Sequence, residues 1–445
     1  MPPRRPSVPP PEQGMDTAAR NYLDSLLTGQ AQMPASPLAW LNRLRAEAVD
    51  RVGALTVPTT RDEEWRFTDL APLTRIPLQP PRQHSRLRPA DIERHLLPEA
   101  AARLVFIDGV YAPYLSTGVG DAVIAHNLGS VPAAQTAPFE SRLGRLAAFH
   151  DDVFAALNTA FLHDGALVAV PPAVEFERPL HLLFVATQAA AVYPRCLLVA
   201  GARSRITVVE DYVALAEGSY LTDAVTEIAV ADEAHVEHVR VQREAAGAFH
   251  IARCAVSLAR GARYRSTSVA LGARLSRYNL DVTQGGEGAE CTADGLALIG
   301  GEQLADTHSR IDHAQPRGVS RQLHKCIAGG AAHAVFNGKI MVRPGAQLTD
   351  SAQASRNLLL SARARVDAKP QLEIFADDVK CAHGATVGQL DSEELFYLRS
   401  RGLSEEAARK LLTYAFGAEI IERIPVASLR QRLEQAVLAQ TTVQP

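Results

Sequence analysis

Between residues 165 and 379 the chain shows no helical period of any length. Short alternating runs recur instead, among them SRITVVEDYVAL, HVEHVRVQ, YRSTSVAL, RYNLDVTQ and KIMVRP, bounded by Gly, Ala, Asp and Asn. A small-residue punctuation, one residue followed by Ala and then an alternating run, returns at Gly201–Ala202, Glu233–Ala234, Gly261–Ala262, Gly288–Ala289 and Gly345–Ala346. The first four stand about 27 to 32 residues apart, and the last gap is about twice that. Many short strands at fixed spacing suggest a solenoid, a sandwich or a barrel. Each run is too short to bury a face alone, so stacked rungs would supply the core. A β-helix is the favoured reading.

The flanks read differently. From about Asp16 to Val52 the pattern is helical, with one stripe at Tyr22, Leu23, Leu26 and Leu27 and a second at Trp40, Leu41, Leu44 and Ala48. The block VPTTRDEEWRFTDLAPL at residues 57–73 is dense in charge yet carries Trp65 and Phe67, as a polar loop does when it pins aromatics onto a neighbouring surface. Asp108–Gly109 is a hairpin signal within RLVFIDGVY. Residues 151–162 read as an amphipathic helix with acids in its first turn, where the dipole favours them. Helices return at Asp391, a capping residue. Gly402 then stands as a stop and Ser404 as the next cap, and Pro425 precedes a last helix over 426–438. The expected divisions are a disordered tail at 1–15, a helical and mixed region at 16–164, a β-helix core at 165–385 and a helical region at 386–445.

Composition narrows the function. Hydrophobic residues make up 47% of the 445 and charged residues 21%, the balance of a soluble globular protein with a large core. A net charge of −3 supplies no field to draw nucleic acid or an anionic membrane. No uncharged apolar run reaches the roughly 18 residues that a membrane span requires. Cysteines at 196, 254, 291, 326 and 381 are odd in number, widely spaced and without a CxxC, so no disulfide framework is readable and a reducing cytosol fits. The start, MPPRRPSVPPPEQG, lacks the apolar region of a secretory signal.

The stretch with most chemistry is KPQLEIFADDVKCAHGATVG, residues 369–388. It sets a thiol, Cys381, two positions from an imidazole, His383, behind Asp377, Asp378 and Lys380. On a continuing strand Val379, Cys381 and His383 leave the same face. A thiolate beside an imidazole can hold iron, zinc or copper, but two ligands do not close a coordination sphere. A partner chain or another part of the fold must supply the rest. Asp377 and Asp378 read either as orienting groups for His383 or as a polar turn. A second set, Asp306, His308, Asp312 and His313, resembles a metal site by composition. His308 and His313 differ by an odd number, however, so one strand face does not hold all four, and packing is the expected role. Cys196, Cys254, Cys291 and Cys326 read as core.

These residues resemble the SufB/SufD family of the SUF iron–sulfur cluster assembly system. The likeness runs through most of the chain from Val57 onward. Its blocks are PTTRDEEWRFTDLAPL, LNTAFLHDGALVAVP, DTHSRIDHAQPRGVSRQLHK, VFNGKIMV, AQLTDSAQASRNLLLS, KPQLEIFADDVKCAHGATVGQLD and LFYLRSRGL, in the family's order. KCAHGATVG resembles the SufD form, since SufB-like sequences carry glutamates at the places of Cys381 and His383. Two departures stand out: His324 and Cys326 replace an aromatic and a small residue, and the proline-rich start has no counterpart.

The resemblance implies a right-handed parallel β-helix core with α-helical N- and C-terminal regions. It implies a non-catalytic scaffold whose core pairs with SufB, or with a second copy of itself, and whose C-terminal helices dock the ATPase SufC. By resemblance His383, with Cys381 beside it, faces the SufB junction, where a transient iron–sulfur cluster shared with SufB forms. Flavin binding is not readable. The chain lacks GxxxxGK[ST], so ATP hydrolysis is expected in the partner. Two alternatives remain: a SufB-like scaffold carrying the initial cluster itself, and a carbohydrate-active β-helix. The latter needs aromatic platforms along a groove, and an aromatic content of 6% with two tryptophans, both near the N-terminus, argues against it.

Overall fold

The computed structural model describes residues 13–81, 85–118, 123–132 and 135–440; most of the proline-rich start, residues 1–12, lies outside them. The helix Gln13–Gln30 begins inside the stretch expected to be a tail. From there the chain builds a parallel β-solenoid of about eight turns with helices at both ends, as the repeat spacing predicts. From Arg195–Ala200 onward consecutive strands alternate between two ten-stranded sheets. In the first sheet Arg205, His235, Arg263, Glu290 and Val319 share one row, so each coil advances the chain by about 27 to 30 residues.

The corners explain the punctuation. Glu233, Gly261 and Gly288 hold φ of 60°, 61° and 68°, and the alanine after each is fully buried. A left-handed residue turns the chain and the methyl tucks into the corner. The doubled gap is filled by Arg317, φ 60°, followed by Gly318. An alanine there would have to displace buried side chains, because a Cβ would stand 2.3 Å from Gln284 Oε1 and 2.7 Å from His313 Nδ1. At the first rung the left-handed residue is Arg203, followed by buried Ser204, so the turn lies two residues past the Gly201–Ala202 pair.

The alternation itself resolves against intuition. Val209, Val239, Val241, Val269 and Leu296 face outward, where Ile420, Ile421, Leu429 and Leu433 of the C-terminal helices cover them. Polar partners on the same strands, His238, Arg240 and Gln242, face the interior and are almost wholly buried. A parallel sheet covered on both faces places no premium on which alternate set is apolar.

The C-terminal flank covers the first sheet, and the N-terminal flank reaches both. Tyr22, Leu23, Leu26, Leu41 and Leu44 of the N-terminal helices pack with Leu167, Leu197, Leu221 and Phe249 on the second sheet. The strand Ala102–Ile107 joins the first sheet in parallel with Glu175–Ala186 and then turns at Asp108 and Gly109, φ 50° and 84°, into an antiparallel hairpin with Val110–Tyr111. Asp152 caps the helix Val153–Ala160 by accepting from the N–H groups of Phe154 and Ala155. Helices Glu405–Ile421 and Ala427–Gln440 lie on the first sheet. Helix Ser392–Ser400 buries no residue and leaves Phe396 73% and Tyr397 56% exposed. No described helix is long and apolar enough to cross a membrane.

The solenoid is left uncovered at its C-terminal end. Arg365–Ile374 and Val379–Gly388 are the last strands of the two sheets, each paired on one side only.

Candidate functional site at the open end of the solenoid

The strand Val379–Gly388 lies parallel to Thr349–Leu359, with Cys381 opposite Ser351 and His383 opposite Gln353. Val379 and Cys381 pack against Ile340, Val342, Ala346 and Ala376, so this alternate set faces the mouth of the interior. Two polar columns run up to it. One is Ser320, Ser351 and Cys381, in which the two serine hydroxyls lie 2.6 Å apart. The other is Gln322, Gln353 and His383, in which Gln322 Nε2 donates to Gln353 Oε1 at 3.2 Å and Gln353 Nε2 donates to the Gly338 carbonyl at 3.1 Å. Everything beneath is buried, whereas Cys381 is half-buried and His383 exposed. The site thus stands on a fixed floor and opens to solvent.

Partial burial pushes the Cys381 thiol above its ordinary range, and the charge of Asp350 adds to that, against a backbone hydrogen bond from Ser351. The fold alone therefore does not activate a thiolate at Cys381. Asp377 and Asp378 fall in the bend before the strand, where the Asp378 N–H donates to Gln347 Oε1 and its carbonyl accepts from the Leu348 N–H. Their geometry is that of a turn. Lys380 stands opposite Asp350 on the outer face. Among the described residues no three His, Cys, Asp or Glu side chains are arranged to hold a metal ion. Cys381 and His383 offer two donors, and any further ones come from outside this group.

The second histidine set splits between faces, as the odd spacing requires. His308 faces outward, with Nε2 3.0 Å from Asp306 and Nδ1 3.1 Å from Glu64. Burial opposes its charge, but the two carboxylates prevail and raise it above the usual imidazole range. Asp312 is held by Arg343 at 2.9 and 2.7 Å. His313 turns inward to Ser320 at 2.9 Å. The charged N-terminal block lies here too. The Trp65 ring sits 4.0 Å from the Arg277 guanidinium, Arg277 pairs with Asp306 at 2.5 Å, and Glu63 pairs with Lys369.

Cys196, Cys254, Cys291 and Cys326 are all buried, and desolvation holds Cys291 and Cys326 up to about 12. His324 occupies its aromatic position as an aromatic would, stacked on Phe336 at 4.3 Å, and burial pushes it down to about 3. Gly295 opposite makes the room, since a Cβ there would stand 2.5 Å from His324 Nδ1.

Sequence reading missed the polar interior. His238 Nε2 lies 3.4 Å from Glu210, and its Nδ1 is 2.9 Å from the Tyr264 hydroxyl. Burial works against the imidazolium, but Glu210 outweighs it and lifts His238 to about 10. His250 Nδ1 meets Glu244 at 2.6 Å, and Arg240 bonds His250 while stacking 4.4 Å from the Tyr278 ring centre. The available signal was the charged member of each alternating pair, which pattern reading assigns to solvent.

Two family descriptions match this chain: "SUF system FeS cluster assembly, SufBD core domain" over residues 183–416, and "SufBD protein N-terminal region" over residues 16–182. An iron–sulfur cluster assembly SufBD family protein of Synechocystis sp. is 41% identical over 429 residues, 93% of this chain and 94% of the relative. Protein ABCI7, chloroplastic, of Arabidopsis thaliana is 31% identical over 427 residues, 93% and 89% of the two chains. The iron–sulfur cluster assembly protein SufD of Escherichia coli is 34% identical over 383 residues, 85% and 88%.

Proposed function

The chain belongs to the SufB/SufD family of the SUF iron–sulfur cluster assembly system, and on that premise we propose that it is a SufD-like, non-catalytic scaffold subunit. Its open end pairs with SufB, or with a second copy when SufB is absent. Its C-terminal helices dock the SufC ATPase, whose hydrolysis drives the pair to rearrange. His383, with Cys381 beside it, contributes donors to a nascent cluster shared with SufB, and the complex works in the cytoplasm.

The observation that carries this reading is the uncovered last coil. Two unpaired strand edges meet there, with Phe375 60% and Val387 51% exposed beside them. Such an edge is a template for another strand, and proteins seldom leave one open without a use for it. Neutral imidazole suits iron. The cluster is the cargo of the complex. The exposed Phe396 and Tyr397 support docking on the C-terminal helices.

Co-purification with SufB and SufC tests the assembly, the expected result being a stable three-component complex. Anaerobic reconstitution with iron and sulfide separates this role from a SufB-like one. A strong cluster spectrum on the isolated chain favours the SufB-like role, and its appearance only with SufB supports the scaffold proposed here.

A further inference from the structure

The helix Glu405–Ile421 approaches the first sheet closely at Gly417, where the nearest atoms to an added Cβ belong to Ile327 and Leu296 at 3.5 and 3.6 Å. Beside this approach Lys325 reaches up from its strand, only 6% exposed. Its ammonium donates to the Phe416 carbonyl at 2.8 Å, meets Glu419 at 2.6 Å and lies 4.6 Å from the Phe416 ring centre. Glu419 gathers two further cations, Arg356 at 3.4 Å and Arg423 at 3.2 Å, and Arg423 also reaches buried Asp294 at 2.8 Å. Three cations hold Glu419 below the ordinary carboxylate range, with the Lys325 hydrogen bond contributing most. One carboxylate therefore binds the helix to two adjacent strands.

The second of those strands is the floor of the candidate site. Thr349–Leu359 turns Arg356 outward to Glu419 and turns Ser351 and Gln353 inward beneath Cys381 and His383. Lys325, Arg356 and Thr386 share one row, and Asn357 Nδ2 donates to the Thr386 carbonyl at 2.9 Å. We propose that Lys325, Glu419 and Arg356 form a positioning node that carries displacement of the C-terminal helices to the strand bearing Cys381 and His383. The inference rests on the proposed docking of an ATPase on those helices. These are positioning residues, since none touches the site itself.

The test uses the full complex with the SufB-type and ATPase partners, with and without ATP. It reads hydrogen exchange over residues 379–388 and the alkylation rate of Cys381. Wild type should show an ATP-dependent change of at least about fivefold, the low end of typical coupling. Lys325→Met should abolish that change while ATP hydrolysis and complex mass persist. Arg356→Ala guards against misfolding, because its side chain is half exposed. It should weaken the ATP response without moving the thermal midpoint, and Arg356→Lys should restore the response. A full ATP response in both Lys325→Met and Arg356→Ala overturns the node alone. A wild-type complex in which ATP leaves the strand unchanged also overturns the node, whereas failure of the ATPase to join the complex overturns the docking reading.

Discussion

His238 and Glu210 show what a buried pair contributes once both members are fixed. Removing Glu210 breaks the pair, at a cost of about 3–5 kcal/mol, and leaves burial to push His238 toward its neutral form. Glu210→Gln should therefore lower the unfolding free energy by that amount in chemical denaturation, and a change below about 1 kcal/mol would show that the interior carries no such ion pair. His308 offers a pH signature. Its folded pKa is raised above the unfolded value of about 6.5, so its contribution is complete below that value and lost as pH rises through the folded pKa. The stability gap between wild type and His308→Gln should thus be widest near pH 6 and narrow toward pH 9; a gap that widens with pH contradicts the assignment. At this scale the sequence was legible where chemistry was local. Cys381 and His383 sit two apart on one strand, and that spacing placed them together. His238 and Glu210 lie on separate strands 28 residues apart, and only the coil register brings them into contact.

At the scale of elements the rungs were readable because each coil repeats one requirement, a left-handed corner followed by a small buried residue. The alanine pattern is broken where Ser204 follows Arg203, where Gly318 follows Arg317 beside Gln284 and His313, and where Thr349 follows the left-handed Leu348, three residues past the expected Gly345–Ala346 corner. The orientation of the strands was not readable, because Val239 and Val241 are apolar for the sake of helices some 180 residues later. The strand Val379–Gly388 carries the prediction at this scale. Val387→Lys places a charge at the open end without removing a buried contact, so the chain's own stability should change by no more than about 0.5 kcal/mol. Pairing with SufB should weaken by at least about tenfold, or 1.4 kcal/mol, as titration calorimetry would register. Unchanged affinity would mean that the partner docks elsewhere.

Across the whole molecule the layout has one consequence. The first N-terminal helices cover the second sheet, the C-terminal helices cover the first, and the last coil ends in two strands each paired on one side only. The imidazole stands there exposed, on a floor of Ser351 and Gln353, at the face the proposed partner would cover. The decisive measurement is cluster formation by this chain carrying His383→Ala, reconstituted with SufB and SufC and followed anaerobically by its absorption spectrum. Assembly should fall at least roughly tenfold, the scale lost when even outer metal-site partners are removed, while folding, complex mass and ATP hydrolysis persist. Assembly at the wild-type rate would contradict the claim that this imidazole takes part in building the cluster.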